Sequence, residues 1–233
     1  MSVIAPGIGL YAPEDVARLT HLPIGKVRRW LSGYAWRDGH GTKRSAGPVV
    51  KHLLEPREGR VALTFRDLIE IYWVKTFLDH GASMQAIRRA AAEAEDLLKN
   101  DHPFCSLRFA HAGKDIFARV LDAGERERII QLGKGQFVFS EVVAPLLREL
   151  EYATSEGQGV TRWWPLGRDR SVVLDPRIAM GAPITREEGV PTDTLYYAWR
   201  AERDVDAVAR WFSVSRAAVS DAIDFEESHQ RAS

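Results

Sequence analysis

The stretch "LPIGKVRRWL", residues 22–31, sets Lys26, Arg28, Arg29 and Trp30 around an apolar stripe of Ile24, Val27 and Leu31. Cations and an indole on one short helix suit phosphates and base edges in a DNA groove, although the same charges also serve an ordinary solvated helix face. The segment that follows, "SGYAWRDGHGTKRSAGPVV", alternates glycines with Tyr34, Trp36, Arg37, His40, Lys43 and Arg44. It reads as a mobile basic loop or wing whose cations neutralise phosphates and whose aromatic rings pack on sugar or backbone. The candidate DNA-contacting set is Lys26, Arg28, Arg29, Trp30, Tyr34, Arg37, Lys43 and Arg44.

Other chemistries find less support. His102, Cys105 and His111 offer at most three metal ligands, without a carboxylate at fixed spacing, so no metal is expected. "LGKGQ" lacks the spacing and the Lys-Ser/Thr ending of a phosphate loop and reads as a turn. No nucleophile, base and orienting group form a recognisable constellation, so neither an enzyme nor a cofactor is expected. Trp163 and Trp164, beside Arg162, Arg168 and Arg170, point to opposite faces of an extended segment. They fit an interdomain strand and a partner-binding hot spot equally. One cysteine, Cys105, excludes an internal disulfide framework and a thiolate zinc site and fits a reducing compartment.

The elements that position these residues can be read from periodicity and caps. In "YAPEDVARLTHLPIGKVRRWL", Pro13 suits a first helical position, and Glu14 and Asp15 suit the positive end of the helix dipole. Thr20 and Pro23 break the pattern, which makes Ile24–Leu31 the second helix of a helix-turn-helix. Two further helices follow, capped by Thr64 and Ser83. The first repeats apolar residues at Leu68, Ile71, Tyr72, Val74, Phe77 and Leu78 as a core helix would; the second shows Arg88 and Arg89 on its polar side.

Beyond them, Phe104, Leu107 and Phe109, then Ile116, Ala118 and Val120, predict two strands joined at "HAGKD". "QFVF" predicts a third, and "SEVVAPLLRELEYA" a helix capped by Ser140. "TDTLYYAWRAERDVDAVARWFSVSRAAVSDAIDFEES" predicts three short helices, the last two forming a second helix-turn-helix with Ser215 as a cap.

The 233 residues carry 32 Lys and Arg against 32 Asp and Glu, but the charge is segregated. Residues 1–66 hold 11 cations and 5 anions, whereas residues 187–227 hold 4 cations and 10 anions. One end is therefore expected to meet a polyanion. The final helix, with Asp221, Asp224, Glu226 and Glu227 at expected exposed positions and Arg216 opposing them, would repel phosphate and suits a protein partner or a second copy of the chain. No apolar run reaches membrane-spanning length and the N-terminus lacks signal-peptide grammar, so a cytoplasmic location is expected.

"YAPEDVARLTHLPIGKVRRWL" followed by "LTFRDLIEIYWVKTFLDHGASMQAIRRAAAEA" resembles the DNA-binding domain of MerR-type winged-helix regulators over about residues 10–98. That resemblance implies DNA contacts by Arg28 and Trp30, while the segment 32–62 departs from the family's compact wing. "DPRIAMGAPI", the "VPT" helix entry and "DVDAVARWFSVSRAAVSDAI" resemble the small helical domain of antitoxins encoded beside PIN-like ribonuclease toxins, over residues 172–226. There "REEGVP" replaces the more common "GTRIP". Together the two resemblances look like a larger antitoxin of the VapB class, which implies a cognate PIN-like ribonuclease toxin and repression of the shared operon.

The fold class expected is α+β, mainly helical. A MerR-like winged helix-turn-helix occupies residues 1–99, a small central sheet module residues 100–170, and a C-terminal helix-turn-helix-like domain residues 171–233. A homodimer reading an inverted repeat in operator DNA through residues 12–66 is the leading expectation. The alternative is a stand-alone MerR-like regulator whose middle sheet takes a small-molecule ligand.

Overall fold

The structure is a computed structural model and describes residues 8–37, 39–51, 54, 61–106, 109, 145–153 and 159–230. The fold is α+β and mainly helical. α1 (Pro13–Thr20) and α2 (Ile24–Ser32) are joined by a short turn, β1 (Tyr34–Arg37) and β2 (Lys43–Ala46) form a hairpin, and α3 (Phe65–Asp79) and α4 (Met84–Leu98) a helical pair. A short 3-10 turn, Pro103–Cys105, leads out of α4. Strands β3 (Leu150–Tyr152), β4 (Val160–Trp163), β5 (Val172–Leu174) and β6 (Pro183–Thr185) make an antiparallel sheet in chain order, and α5 (Thr192–Glu202), α6 (Val205–Phe212) and α7 (Arg216–Gln230) close the chain.

Helix starts follow the local chemistry. Pro13 opens α1, whose Asp15 carboxylate reaches back to accept the Ala12 N–H at 2.8 Å. Thr64 accepts the Asp67 N–H at 3.3 Å while Asp67 accepts the Thr64 N–H at 2.7 Å, a reciprocal cap for α3. Ser83 accepts the Ala86 N–H and Ser215 the Ala218 N–H.

α3 is buried on nearly every side, with Leu68, Ile69, Ile71, Trp73 and Val74 fully enclosed. Side chains of this size contribute roughly 1.5–3 kcal/mol each on burial. The main core runs from Tyr11 and Val16 through α3 and α4 to Trp163, Leu174 and Phe225, and a second core joins α5, α6 and α7 through Leu195, Val208, Val219 and Ala222.

Several expectations are corrected. Phe104 lies in the 3-10 turn and Phe109 is helical and buried, so neither belongs to a strand. Both rings pack on α3, Phe104 at 5.7 Å from Phe77 and Phe109 edge-on to Trp73 at 5.6 Å. Leu107, the "HAGKD" turn with His111, the strand at Ile116–Val120, "LGKGQ", "QFVF" and Ser140 lie outside the described residues. The helix expected to run through Ala153 is helical over 145–149 and then becomes β3. The sheet draws strands from both sides of residue 170, where a domain boundary was expected.

Trp163 and Trp164 do face opposite ways, and both are buried within the chain, so neither indole is presented to a partner. Trp163 stacks on Tyr72 of α3 at 4.6 Å and donates to Glu149 Oε2, which also accepts the Tyr72 hydroxyl at 2.6 Å. Trp164 packs with Val173 and Ile184 under the Arg186 guanidinium.

The acidic last helix is also less exposed than its sequence suggests. Glu226 accepts from Arg18 of α1 at 3.2 Å and from the Thr192 hydroxyl; Asp221 accepts from Arg170 and from the Ser171 N–H at 2.7 Å. Asp224 takes the other arm of Arg170 at 2.6 Å. Asp221 and Glu226 are buried because these cations compensate them. The same seam stacks His21 on His229 at 4.3 Å, and Tyr11 donates its hydroxyl to the Gly181 carbonyl at 2.7 Å.

Glu70 of α3 is fully enclosed and accepts the N–H groups of Phe104 at 2.7 Å and Cys105 at 3.2 Å. Burial pushes its carboxyl from 4.5 up to about 8 despite those two donors. The folded chain therefore holds this proton more tightly than the unfolded chain does. Stability from Glu70 is complete below about pH 4.5 and is lost as pH rises to about 8. Glu70→Gln should flatten that limb of the melting temperature against pH; an unchanged limb in the variant would assign it to another group.

A second test addresses the hairpin. Gly33 leaves α2 at φ 73, and a Cβ there would lie 2.4 Å from the Ala46 carbonyl oxygen. Gly33→Ala should cost about 1–3 kcal/mol in thermal or denaturant unfolding, through a strained φ and a displaced β2. Wild-type stability in that variant would show that the hairpin shifts without penalty.

Candidate nucleic-acid interface

α1 ends in a left-handed cap at His21, whose N–H returns to the Ala17 and Arg18 carbonyls. Pro23 then starts α2. The period of α2 buries Val27, Trp30 and Leu31 together and leaves Arg28 and Arg29 exposed, with Lys26 half-buried. Trp30 is 3% exposed, and its carbonyl accepts the Val49 N–H at 2.8 Å. Its indole is therefore a core group and not a groove contact, because three- and four-residue spacing places it with Val27 and Leu31. The Lys26 ammonium lies 5.4 Å from the ring centre, so the indole instead backs a cation.

Arg28 donates to Glu14 Oε1 at 2.8 Å, with both side chains largely in water, and Arg29 donates to the Gly25 carbonyl one turn back. An ion pair this exposed contributes little, so exchanging Glu14 for a phosphate oxygen is inexpensive.

The segment expected as a mobile basic loop or wing is a paired hairpin with both faces in water. Tyr34 and Trp36 share one face, their rings 5.2 Å apart, and Trp36 is 43% exposed. Trp36 pairs across the ladder with Arg44, and Arg37 stands directly opposite Lys43. Like charges at such a cross-strand position oppose pairing, and a polyanion between them removes the repulsion. Arg37 also donates to the Gly41 carbonyl at 2.9 Å, which holds its guanidinium near the hairpin tip. An isolated two-stranded hairpin is marginal in water, so docking on a surface would add to its stability.

Of the eight sequence candidates, Lys26, Arg28, Arg29, Tyr34, Arg37, Lys43 and Arg44 lie on α2 and the hairpin with accessible polar ends, whereas Trp30, also on α2, is buried. The exposed aromatic that takes its place is Trp36, which the alternation Tyr34-Ala35-Trp36 marks once a strand is assigned. Arg18 and Arg170, the cations that fasten α7, carry no local sequence signal.

The buried polar groups of the metal and thiol candidates have structural partners. His102 Nε2 lies 2.7 Å from Asp67 Oδ1, and the Cys105 thiol donates to the Arg66 carbonyl. Burial raises the Cys105 thiol well above its ordinary range, which makes it a poor nucleophile. Among the described residues, no group of three or more His, Cys, Asp or Glu is placed to hold a metal ion, and no helix is long and apolar enough to cross a membrane.

No protein-family model matches this chain. It is 27% identical over 227 residues, 93% of each chain, to a Mycobacterium tuberculosis protein whose name gives it as a candidate antitoxin, VapB45. The crystal structure of Rv2018 from Mycobacterium tuberculosis shares the fold, with a TM-score of 0.73 at 23% identity over 95% of this chain and 100% of that one.

Proposed function

We propose that this chain is a DNA-binding antitoxin of the VapB kind. It represses its own operon through residues 12–66 and neutralises a PIN-like ribonuclease toxin through its middle and C-terminal parts. Likeness along nearly the whole length of a protein named as an antitoxin supports the general role. The observation that carries the DNA assignment is the cationic hairpin that follows α2, in which Arg37 and Lys43 are held opposite one another, together with the exposed Arg28 and Arg29 of α2.

In this reading α2 enters the major groove, Lys26, Arg28 and Arg29 meet phosphates and base edges, and Tyr34, Trp36, Arg37, Lys43 and Arg44 follow the adjacent backbone. Two copies related by a two-fold axis read the two halves of an inverted repeat. The protein acts in the cytoplasm, binds without a cofactor, and catalyses nothing itself.

Arg28→Ala with Arg29→Ala should weaken binding to the promoter DNA of its own operon by roughly tenfold or more. It should also reduce the slope of log affinity against log salt by about one for each phosphate that is no longer neutralised. Toxin binding should be unaffected. Fluorescence anisotropy at several salt concentrations measures both quantities, and unchanged affinity and slope would overturn the DNA assignment.

A further inference from the structure

The two helix-turn-helix units are built alike. α1 and α6 have the same length, and each ends in a left-handed cap, His21 and Ser213, both at φ 54. The next N–H, Leu22 or Val214, donates to Ala17 or Ala209 at 3.0 Å in both. Val16 matches Val208, Leu22 matches Val214, Val27 matches Val219, and Leu31 matches Ile223, all buried.

One matching position differs sharply. Leu19 of α1 is 2% exposed within the main core, which α3 completes, whereas its counterpart Trp211 on α6 is 61% exposed. α5 and α7 pack on the inner side of α6 through Leu195, Val208 and Val219 and leave Trp211 outside that core. Tyr197 of the adjoining α5 is likewise 60% exposed.

The charge of this unit is not simply acidic. Arg170 engages Asp221 and Asp224, Arg18 engages Glu226, and Arg216 engages Asp206 at 2.8 Å. Arg200, Arg203 and Arg210 are exposed and have no carboxylate partner among the described residues. Arg203 lies over Trp199 at 4.7 Å and Arg200 over Tyr196 at 5.8 Å. Tryptophan, tyrosine and arginine together are the composition of an interface hot spot.

We propose that Trp211 and Tyr197, with Arg200, Arg203 and Arg210, form the surface on which a partner protein docks by an apolar pocket rimmed with carboxylates. The proposal rests on the antitoxin reading, which makes the toxin that partner. Charge complementarity selects this occupant over a second copy, since a two-fold contact centred on Trp211 would set the arginines of one chain against those of the other.

The test co-expresses the full chain with the PIN-like ribonuclease encoded beside it and measures the affinity of the purified pair. Failure of the wild-type chain to bind would overturn the antitoxin reading and this surface with it. With a wild-type complex in hand, Trp211→Ala should weaken binding at least roughly 30-fold. Arg203→Glu with Arg210→Glu should weaken it and abolish its salt dependence. Promoter DNA binding should stay at the wild-type level in both variants and so report that the chain is folded.

Equal toxin affinity in all three proteins would overturn the surface and leave the antitoxin reading standing. Loss of self-association in Trp211→Ala by sedimentation, with toxin binding unchanged, would assign the patch to a second copy and also overturn the proposal. So would loss of nucleic-acid binding confined to these variants.

Discussion

α3 is buried on nearly every side, and the carboxylates it carries inward must be answered where they lie. Asp67 is met by Thr64 and by the His102 ring, and Glu70 by the N–H groups of Phe104 and Cys105. An unanswered carboxylate in that position would cost several kcal/mol. The chain leaving α4 is therefore drawn back across α3. Two residues further on, Tyr72 shares Glu149 with Trp163 and so fixes the sheet to the same helix. α1 and α2 join the same core as α3 through Val16, Leu19 and Val27. The geometry of the cationic face depends on this helix even though none of its residues reaches that face.

The parts legible in the sequence are those whose causes are local. Pro13, Thr64, Ser83 and Ser215 announce helix starts because each supplies or spares a backbone hydrogen bond within one turn. Trp30 could have been assigned to the core on spacing alone, since it shares a stripe with Val27 and Leu31; its neighbours Arg28 and Arg29 drew it into the wrong company. A sheet was expected, but its strands other than the extended segment at Trp163 were not legible. Its strands are three or four residues long, too short for alternation to register, and β6 begins at Pro183. Arg18 with Glu226, and Arg170 with Asp221, join residues remote in the chain, so no window could have shown that the acidic helix is largely neutralised from within.

Two copies of one small motif thus serve opposite electrostatic settings. The first keeps its arginines beside water and hides its large apolar groups under α3. The second hands three of its carboxylates, Asp221, Asp224 and Glu226, to cations elsewhere in the chain and leaves an indole uncovered. Sharing a backbone plan does not imply sharing a ligand, because recognition is decided by the side chains on the outward positions and by what covers the helices behind them. The segregated formal charge therefore locates the cationic face well and describes the opposite end poorly.

Phe225, near the end of the chain, belongs to the same core as Tyr11 and Val16 near its beginning, and Glu226 grips the first helix through Arg18. The order of synthesis acquires a meaning from this. A ribosome that has released only the first hundred residues has produced every cation of the first helix-turn-helix but not the wedge that steadies it. The head reaches its final rigidity only when the tail emerges. By the same geometry, a protease that trims the last helix loosens the head without touching it.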